Sequence, residues 1–277
     1  MSRTSQEIRL AARPQGRPDA STWELATTEV AEPGPGEFLV QLQQISLDPA
    51  MRGWLNDVRS YLPPVQIGAV MRAFGAGTVV ASQHDDFAVG DVVSGTFGVR
   101  EYAISDGKGV ARLDLDVAPM STWLGALGMP GMTAWFGLED VGRAQPGDTV
   151  LVSAAAGAVG STVAQLAKAK GCRVIGVQSS AAPAAHHAWT SGEPATVHSG
   201  TRVAGLAVGA SFALTQSVLG RSLNDFILVD DEDRENEGDL VIPADQGQQR
   251  QQEHQLDHQR EHRGVLPRRG DRILALL

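Results

Sequence analysis

The residues best placed to do chemistry form one short run, Ala155-Ala156-Gly157-Ala158-Val159-Gly160. It follows an apolar run, Thr149 to Ala154 (TVLVSA), and precedes an amphipathic stretch, Val159 to Lys170, closed by Gly171. A second apolar run, Cys172 to Val177, comes next. Strand, glycine turn, helix and strand make one βαβ unit. Set against the dinucleotide pattern G-x-G-x-x-G, Ala155 stands at the first glycine, Gly157 at the second and Gly160 at the third. In that pattern the second glycine lets the backbone approach a pyrophosphate, and the third allows close helix–strand packing. The pyrophosphate then faces the free N–H groups of the helix N-terminus. The competing reading is a turn with a purely structural role. NAD sites usually carry an acid at the end of the second strand. Here that strand runs out as Val177-Gln178-Ser179-Ser180, which favours NADP, although no Lys or Arg follows to pair its extra phosphate.

Other reactive side chains are sparse. Cys172 is the single cysteine, so an internal disulfide, a cysteine-rich zinc site and a secreted disulfide scaffold are all excluded. At the start of an apolar strand, with only Arg173 as a basic neighbour, it reads as structural. The run Asp230 to Asp239 holds seven acids and one arginine. Carboxylates suit Mg²⁺ and an arginine suits a phosphate, but a solvated acidic loop has the same composition. His254, His258 and His262 would share one helical face, yet they lie in glutamine- and arginine-rich text typical of a solvated tail. His186, His187 and His198 fall in irregular text, and His84 reads as a surface-loop residue. No metal site is expected from the histidines.

The elements that must position these residues fall into three parts. Short β-rich runs punctuated by Gly and Pro occupy residues 1–119: Glu37 to Gln41, Thr78 to Val80, Asp91 to Val93 and Glu101 to Ile104. Their spacing suggests a small closed β-barrel. Residues 120–178 begin with helical text at Ser121 to Leu127 and Gly131 to Gly137, and end in the βαβ unit. Past Gln178 the alternation stops, as if two unrelated pieces were joined. Residues 179–277 read as irregular, with a short apolar helix within Val203 to Leu219 and a strand at Phe226 to Asp230, and are expected to supply no compact core. With 23 Lys and Arg against 32 Asp and Glu, the net charge is −9. That balance excludes general nucleic-acid binding. The N-terminal text lacks an apolar signal region and no run reaches the length of a membrane span, so a cytoplasmic protein is expected.

Residues of about 8–178 resemble the zinc-independent, medium-chain NADP-dependent reductases of the leukotriene B4 dehydrogenase and prostaglandin reductase group. The resemblance rests on Ser46-Leu47-Asp48-Pro49-Ala50-Met51-Arg52-Gly53, on Pro63 to Gly68, on Gly75 to Val80, on Gly90 to Val93, on Gly128-Met129-Pro130-Gly131-Met132-Thr133-Ala134, and on the Gly157 turn. It implies an α/β chain with a GroES-like N-terminal barrel that forms the substrate site, and a Rossmann domain, here a truncated βαβ unit, that carries NADPH. It implies hydride transfer to the β-carbon of a small α,β-unsaturated carbonyl. No membrane partner is expected from the sequence, and a homodimer is left open. Thr133, Ala156, Gly157, Ala158, Val159 and Gly160 would then line the cofactor cleft, with Asp48 to Arg52 on the nicotinamide side. Met51 and Met129 could equally be core, and Arg52 a surface or interdomain ion pair. The group also supplies a basic 2′-phosphate loop and a downstream tyrosine; the two tyrosines here, Tyr61 and Tyr102, are both upstream. No catalytic residue is assigned.

Phe226 to Asp245 (FILVDDEDRENEGDLVIPAD) resembles a second family, the 3,4-dihydroxy-2-butanone-4-phosphate synthases of riboflavin biosynthesis, over about 213–246. That resemblance implies Arg234 and Glu235 contacting a sugar phosphate, Glu235 ligating magnesium, and Asp239 binding substrate. The downstream histidine ligand and phosphate loop that should follow are not in the text.

Overall fold

The computed structural model describes residues 3–58, 62–201, 208–231 and 273–276. The chain divides into two compact units, residues 1–128 and 129–277.

In the first unit, β1 (Arg3–Leu10) and β2 (Trp23–Val30) form an antiparallel ribbon paired along its full length. β3 (Phe38–Ile45), β4 (Phe74–Ser82), β5 (Val92–Thr96), β6 (Tyr102–Ser105) and β7 (Ala111–Arg112) form an antiparallel sheet in the order β6-β3-β4-β5-β7. The ribbon closes this sheet through β1: Ile8 N–H donates to Val99 C=O (2.9 Å), Glu101 N–H to Gln6 C=O (3.0 Å) and Met71 N–H to Ile8 C=O (2.8 Å). Phe38, Val40, Val79, Val93, Phe97 and Ala103 make one core. Leu10, Trp54, Leu55, Val65 and Met71 make another beneath the short helix α1 (Ala50–Trp54). The strands expected from the β-rich runs are present. β1 and β2 were not expected. Along β1 the buried positions include Ser5 and Glu7, so its period-2 burial is carried partly by polar side chains and leaves no hydropathy alternation.

Gly77 is fixed by a close approach of β4 to β3. A Cβ there would lie 2.1 Å from Gln41 C=O, where β3 bulges between Leu42 and Gln44. A helix α2 (Met120–Leu124) ends the unit's described elements, with Trp123 Nε1–H donating to Asp114 and Ala118 carbonyls. Met51 is partly buried against the second core. Among the described residues Arg52 has hydrogen-bond partners in place of an ion pair: its guanidinium donates to Asn56 Oδ1 and Gly16 C=O, both at 2.7 Å. His84 packs edge-on against Phe38 and Phe87.

The second unit opens with α3 (Met129–Phe136) and a π-helical turn at Gly137–Val141. β8 (Thr149–Ser153), α4 (Ala158–Ala169) and β9 (Arg173–Ser179) then form the expected βαβ unit. The chain continues as α5 (Ala184–Ser191), α6 (Ala213–Ser222), β10 (Asp225–Val229) and β11 (Ile273–Leu276). All four strands are parallel, in the order β10-β9-β8-β11. Numbered along the chain, that is 3-2-1-4, the order of a doubly wound nucleotide-binding sheet.

Side chains alternate across this sheet. Val150, Val152, Val174 and Phe226 face a core shared with Ala134, Val163, Ala167, Ala185, Leu219 and Leu223. Leu151, Ile175, Val177, Ile227 and Val229 bury the opposite face. The expectation that residues past Ser179 supply no core is therefore corrected. Ala185, Leu219, Leu223 and Phe226 are 7% exposed or less and belong to the same cluster as β8 and α4. The polar, Ala-rich text hides this because Ala, one Leu per turn and one Phe suffice to fill a groove between packed helices. The strand expected at Phe226 is present. The helix expected within Val203 to Leu219 begins only at Ala213, and residues 202–207 lie outside the described residues. His186, read from sequence as lying in irregular text, is buried on α5 with its ring edge-on to Phe226 at 5.5 Å. Met129, one of whose readings was core, is 51% exposed.

Candidate dinucleotide site

β8 ends at Ser153, and the backbone reverses at Ala154, whose φ of 47° lies in the left-handed region. An alanine there carries a strain of about 1–2 kcal/mol that a glycine would not. The tight turn therefore pivots one residue before the position aligned with the first glycine, and Ala155 is instead buried. Gly157 N–H donates to Ala154 C=O at 2.7 Å. Gly157 is the N-cap of α4, with extended backbone (φ −80°, ψ 169°) and no side-chain cap. A Cβ at Gly160 would stand 2.3 Å from Ala154 C=O, so only glycine lets the first turn of α4 lie against the end of β8.

The helix itself leaves three donors over. Its first bond is Ser161 N–H to Gly157 C=O at 2.9 Å, so the N–H groups of Ala158, Val159 and Gly160 have no intrahelical acceptor. Together with the helix dipole they suit a pyrophosphate. Ala154 to Gly157 line a cavity of about 40 Å³ with Val177, Gln178 and Phe226. Thr133 lies exposed on α3, which packs on α4, and its hydroxyl donates to Met129 C=O at 2.8 Å. The residues present fit the pyrophosphate of a dinucleotide.

The end of β9 is more crowded than its own sequence shows. Ser179 Oγ donates to Asp231 Oδ1 at 2.5 Å, Thr201 Oγ1 donates to the same oxygen at 2.9 Å, and Ser180 Oγ donates to Asp230 Oδ1. Along the chain no acid ends the second strand; in space, two acids from the end of the third strand come to it. Gln178 is buried there, its Oε1 accepting His186 N–H at 2.9 Å. Sequence reading met the Ser179-Ser180 step and the acidic run from Asp230 separately and did not pair them, because about fifty positions lie between.

Cys172 lies buried just before β9. Burial, and then the carboxylate of Asp148, push its thiol up, and the Sγ–H donates to Gln145 C=O at 3.3 Å. It is a packed thiol and not a nucleophile. Among the described residues no cluster of three or more His, Cys, Asp or Glu could hold a metal, and no helix is long and apolar enough to cross a membrane. Arg234, Glu235 and Asp239, with His254, His258 and His262, lie outside the described residues.

A parallel sheet of order 3-2-1-4, with a glycine turn leading from strand 1 into an uncapped helix, is the architecture of the dinucleotide-binding class of folds. Comparison with known proteins narrows the class. Residues 6–113 match a family described as the N-terminal domain of oxidoreductase. The chain is 45% identical over 177 residues to the NADPH-dependent curcumin reductase of Escherichia coli, covering 64% of this chain and 51% of that protein. It is 40% identical over 169 residues to mouse prostaglandin reductase 1, covering 60% and 49%. The solved structure of CurA in complex with NADPH from Vibrio vulnificus superposes over 98% of this chain and 82% of its own, with 30% identity and a TM-score of 0.60. The chain belongs to the zinc-independent, NADP-dependent medium-chain reductase family. It spans about half the length of the curated relatives it matches. These matches lend no support to the riboflavin-pathway reading.

Proposed function

We propose that the chain binds NADP(H) through the Ala154–Gly160 turn and reduces the C=C bond of a small α,β-unsaturated carbonyl. The observation that carries this is the turn itself: Gly160 pressed against Ala154, with three unclaimed N–H groups aimed outward from α4. Family membership supplies the reaction class. Bound reduced nicotinamide would deliver a hydride to the β-carbon of the enone, and a solvent proton at the α-carbon would complete the saturated product. The chain's own residues Ala156, Gly157, Ala158, Val159 and Gly160 hold the pyrophosphate, and Thr133 lines the cleft from α3. In this reading residues 1–119 serve the substrate, 120–178 the dinucleotide, and 179–277 complete the sheet. The compartment is the cytoplasm, which the single, buried Cys172 supports.

The test is incubation of the full chain with NADPH deuterated at the transferable position and a 2-alkenal. The expected product is the saturated aldehyde carrying deuterium at the β-carbon. Recovery of unreacted alkenal with intact NADPH would overturn the activity.

A further inference from the structure

Three polar side chains stand at the end of β9: Gln178, Ser179 and Ser180. Ser179 and Ser180 donate their hydroxyl protons to Asp231 and Asp230. Gln178 turns toward the glycine turn instead. Val174 on β9 packs into the core with Val163 and Ala167 of α4, while Ile175 and Val177 bury the opposite face of the sheet. Strand alternation therefore carries Gln178 to the α4 side. Register sets its height. Val177 is level with Ser153, the last residue of β8, so Gln178 stands beside Ala154, where the turn begins. It shares the cavity of about 40 Å³ with Ala154, Ala155, Ala156 and Gly157.

Gln178 is 4% exposed. Its Oε1 accepts the N–H of His186, the third residue of α5, at 2.9 Å. Only the carbonyl end of an amide can accept, so this bond fixes which way the group is turned. Nε2 is the end left over, and among the described residues it has no acceptor. A donor held this deep needs a partner, and the occupant of the cavity is the group placed to supply one.

In a doubly wound sheet an acid about 20 residues beyond the glycine turn accepts the adenosine 2′-hydroxyl. Gln178 lies at that distance from Gly157 and offers donors without a charge. We infer that Gln178 is a specificity-determining residue of the dinucleotide site: its Nε2–H donates to the 2′ oxygen of the adenosine ribose, whether that oxygen belongs to a hydroxyl or to a phosphate. This rests on the dinucleotide reading of the turn. A carboxylate in its place would accept from a 2′-hydroxyl but repel a 2′-phosphate, which brings about two negative charges. The neutral amide is what lets this position take the phosphorylated cofactor.

The experiment is a fluorescence titration of the full chain and of its Q178E variant with NADPH and NADH, at about pH 8, where a carboxyl is ionised. Glu keeps the length of Gln and an oxygen for His186 N–H, so α5 keeps its partner while the donors are lost and a charge is gained. NADPH affinity should fall at least about tenfold by the Coulomb term, while NADH affinity holds or rises. Asp230 and Asp231 are the same in both proteins, so the NADPH-to-NADH ratio reads position 178 alone. An unchanged ratio overturns the inference and leaves the site reading standing. If Q178E does not fold, the parent chain carries the test: adenosine 2′,5′-bisphosphate should bind it more tightly than AMP, and AMP binding as tightly or more so overturns the inference. If neither protein binds either dinucleotide, the inference and the site reading are both overturned.

Discussion

Gly157 and Gly160 sit three residues apart in one turn, yet they are glycines for different reasons. Gly160 answers a steric demand, since its Cβ would overlap Ala154 C=O at 2.3 Å. Gly157 has extended backbone that any residue adopts, and its Cβ would meet the same oxygen only at 3.1 Å. Substitutions should separate packing from binding. Gly160→Ala should lower the melting temperature, because the first turn of α4 must lift off β8. Gly157→Asp should leave the melting temperature level or raise it, since Asp is a favoured N-cap and complements the helix dipole. The same carboxylate would face the pyrophosphate, so NADPH affinity should fall at least about tenfold by the Coulomb term. Thermal melts and NADPH titration on the two variants check both outcomes; equal loss of stability in the two would refute the distinction.

Elements past Ser179 make their strongest claim through β10. Phe226 is 1% exposed, in contact with the rings of His186 and Trp189 from α5, and clustered with Val150, Val163 and Leu219. Phe226→Ala should cost about 3–5 kcal/mol in urea unfolding, as for a large ring removed from a packed core. A loss below about 1 kcal/mol would mean that β10 is not part of this core. In the first unit, the turn entering β5 is held by Asp91, whose carboxylate accepts Ala88 N–H and Arg112 Nε–H, each at 2.9 Å. The Ala88 bond, and then Arg112, hold the Asp91 carboxyl below its ordinary value. A depressed folded pKa contributes stability that is complete above the ordinary carboxylate range and is lost as the pH falls through the folded value. Asp91→Asn should therefore show a smaller drop in urea midpoint between neutral pH and about pH 3 than the parent chain.

For the whole molecule, the two compact units have separate cores, and only the second contains the proposed dinucleotide site. A ligand that binds the folded chain alone stabilises it by mass action. NADPH at about a hundred times its Kd should add about 2.7 kcal/mol to unfolding followed at a probe in the second unit. The tryptophans offer such probes: Trp135 and Trp189 lie in the second unit, and Trp23, Trp54 and Trp123 in the first. Ligand protection that fails to reach Trp189 fluorescence would argue against binding at the β8–α4 turn.

The sequence by itself determined the βαβ unit, the glycine turn and the family. Each depends on neighbours within a few residues: the period of an apolar helix, a Gly at the position where a Cβ would strike the preceding strand, the run Gly75-Ala76-Gly77 where β4 crosses β3. Strand β1 escaped because Ser5 and Glu7 take buried positions that hydropathy assigns to solvent. Tertiary structure alone decided the order 3-2-1-4 and the fate of the residues past Ser179. Strand order is set by pairings between segments such as β8 and β11, more than a hundred positions apart, and no local pattern encodes them. The acids beside the end of β9 belong to the same class. The text ends that strand in serines, and parallel pairing with β10 brings Asp230 and Asp231 to them.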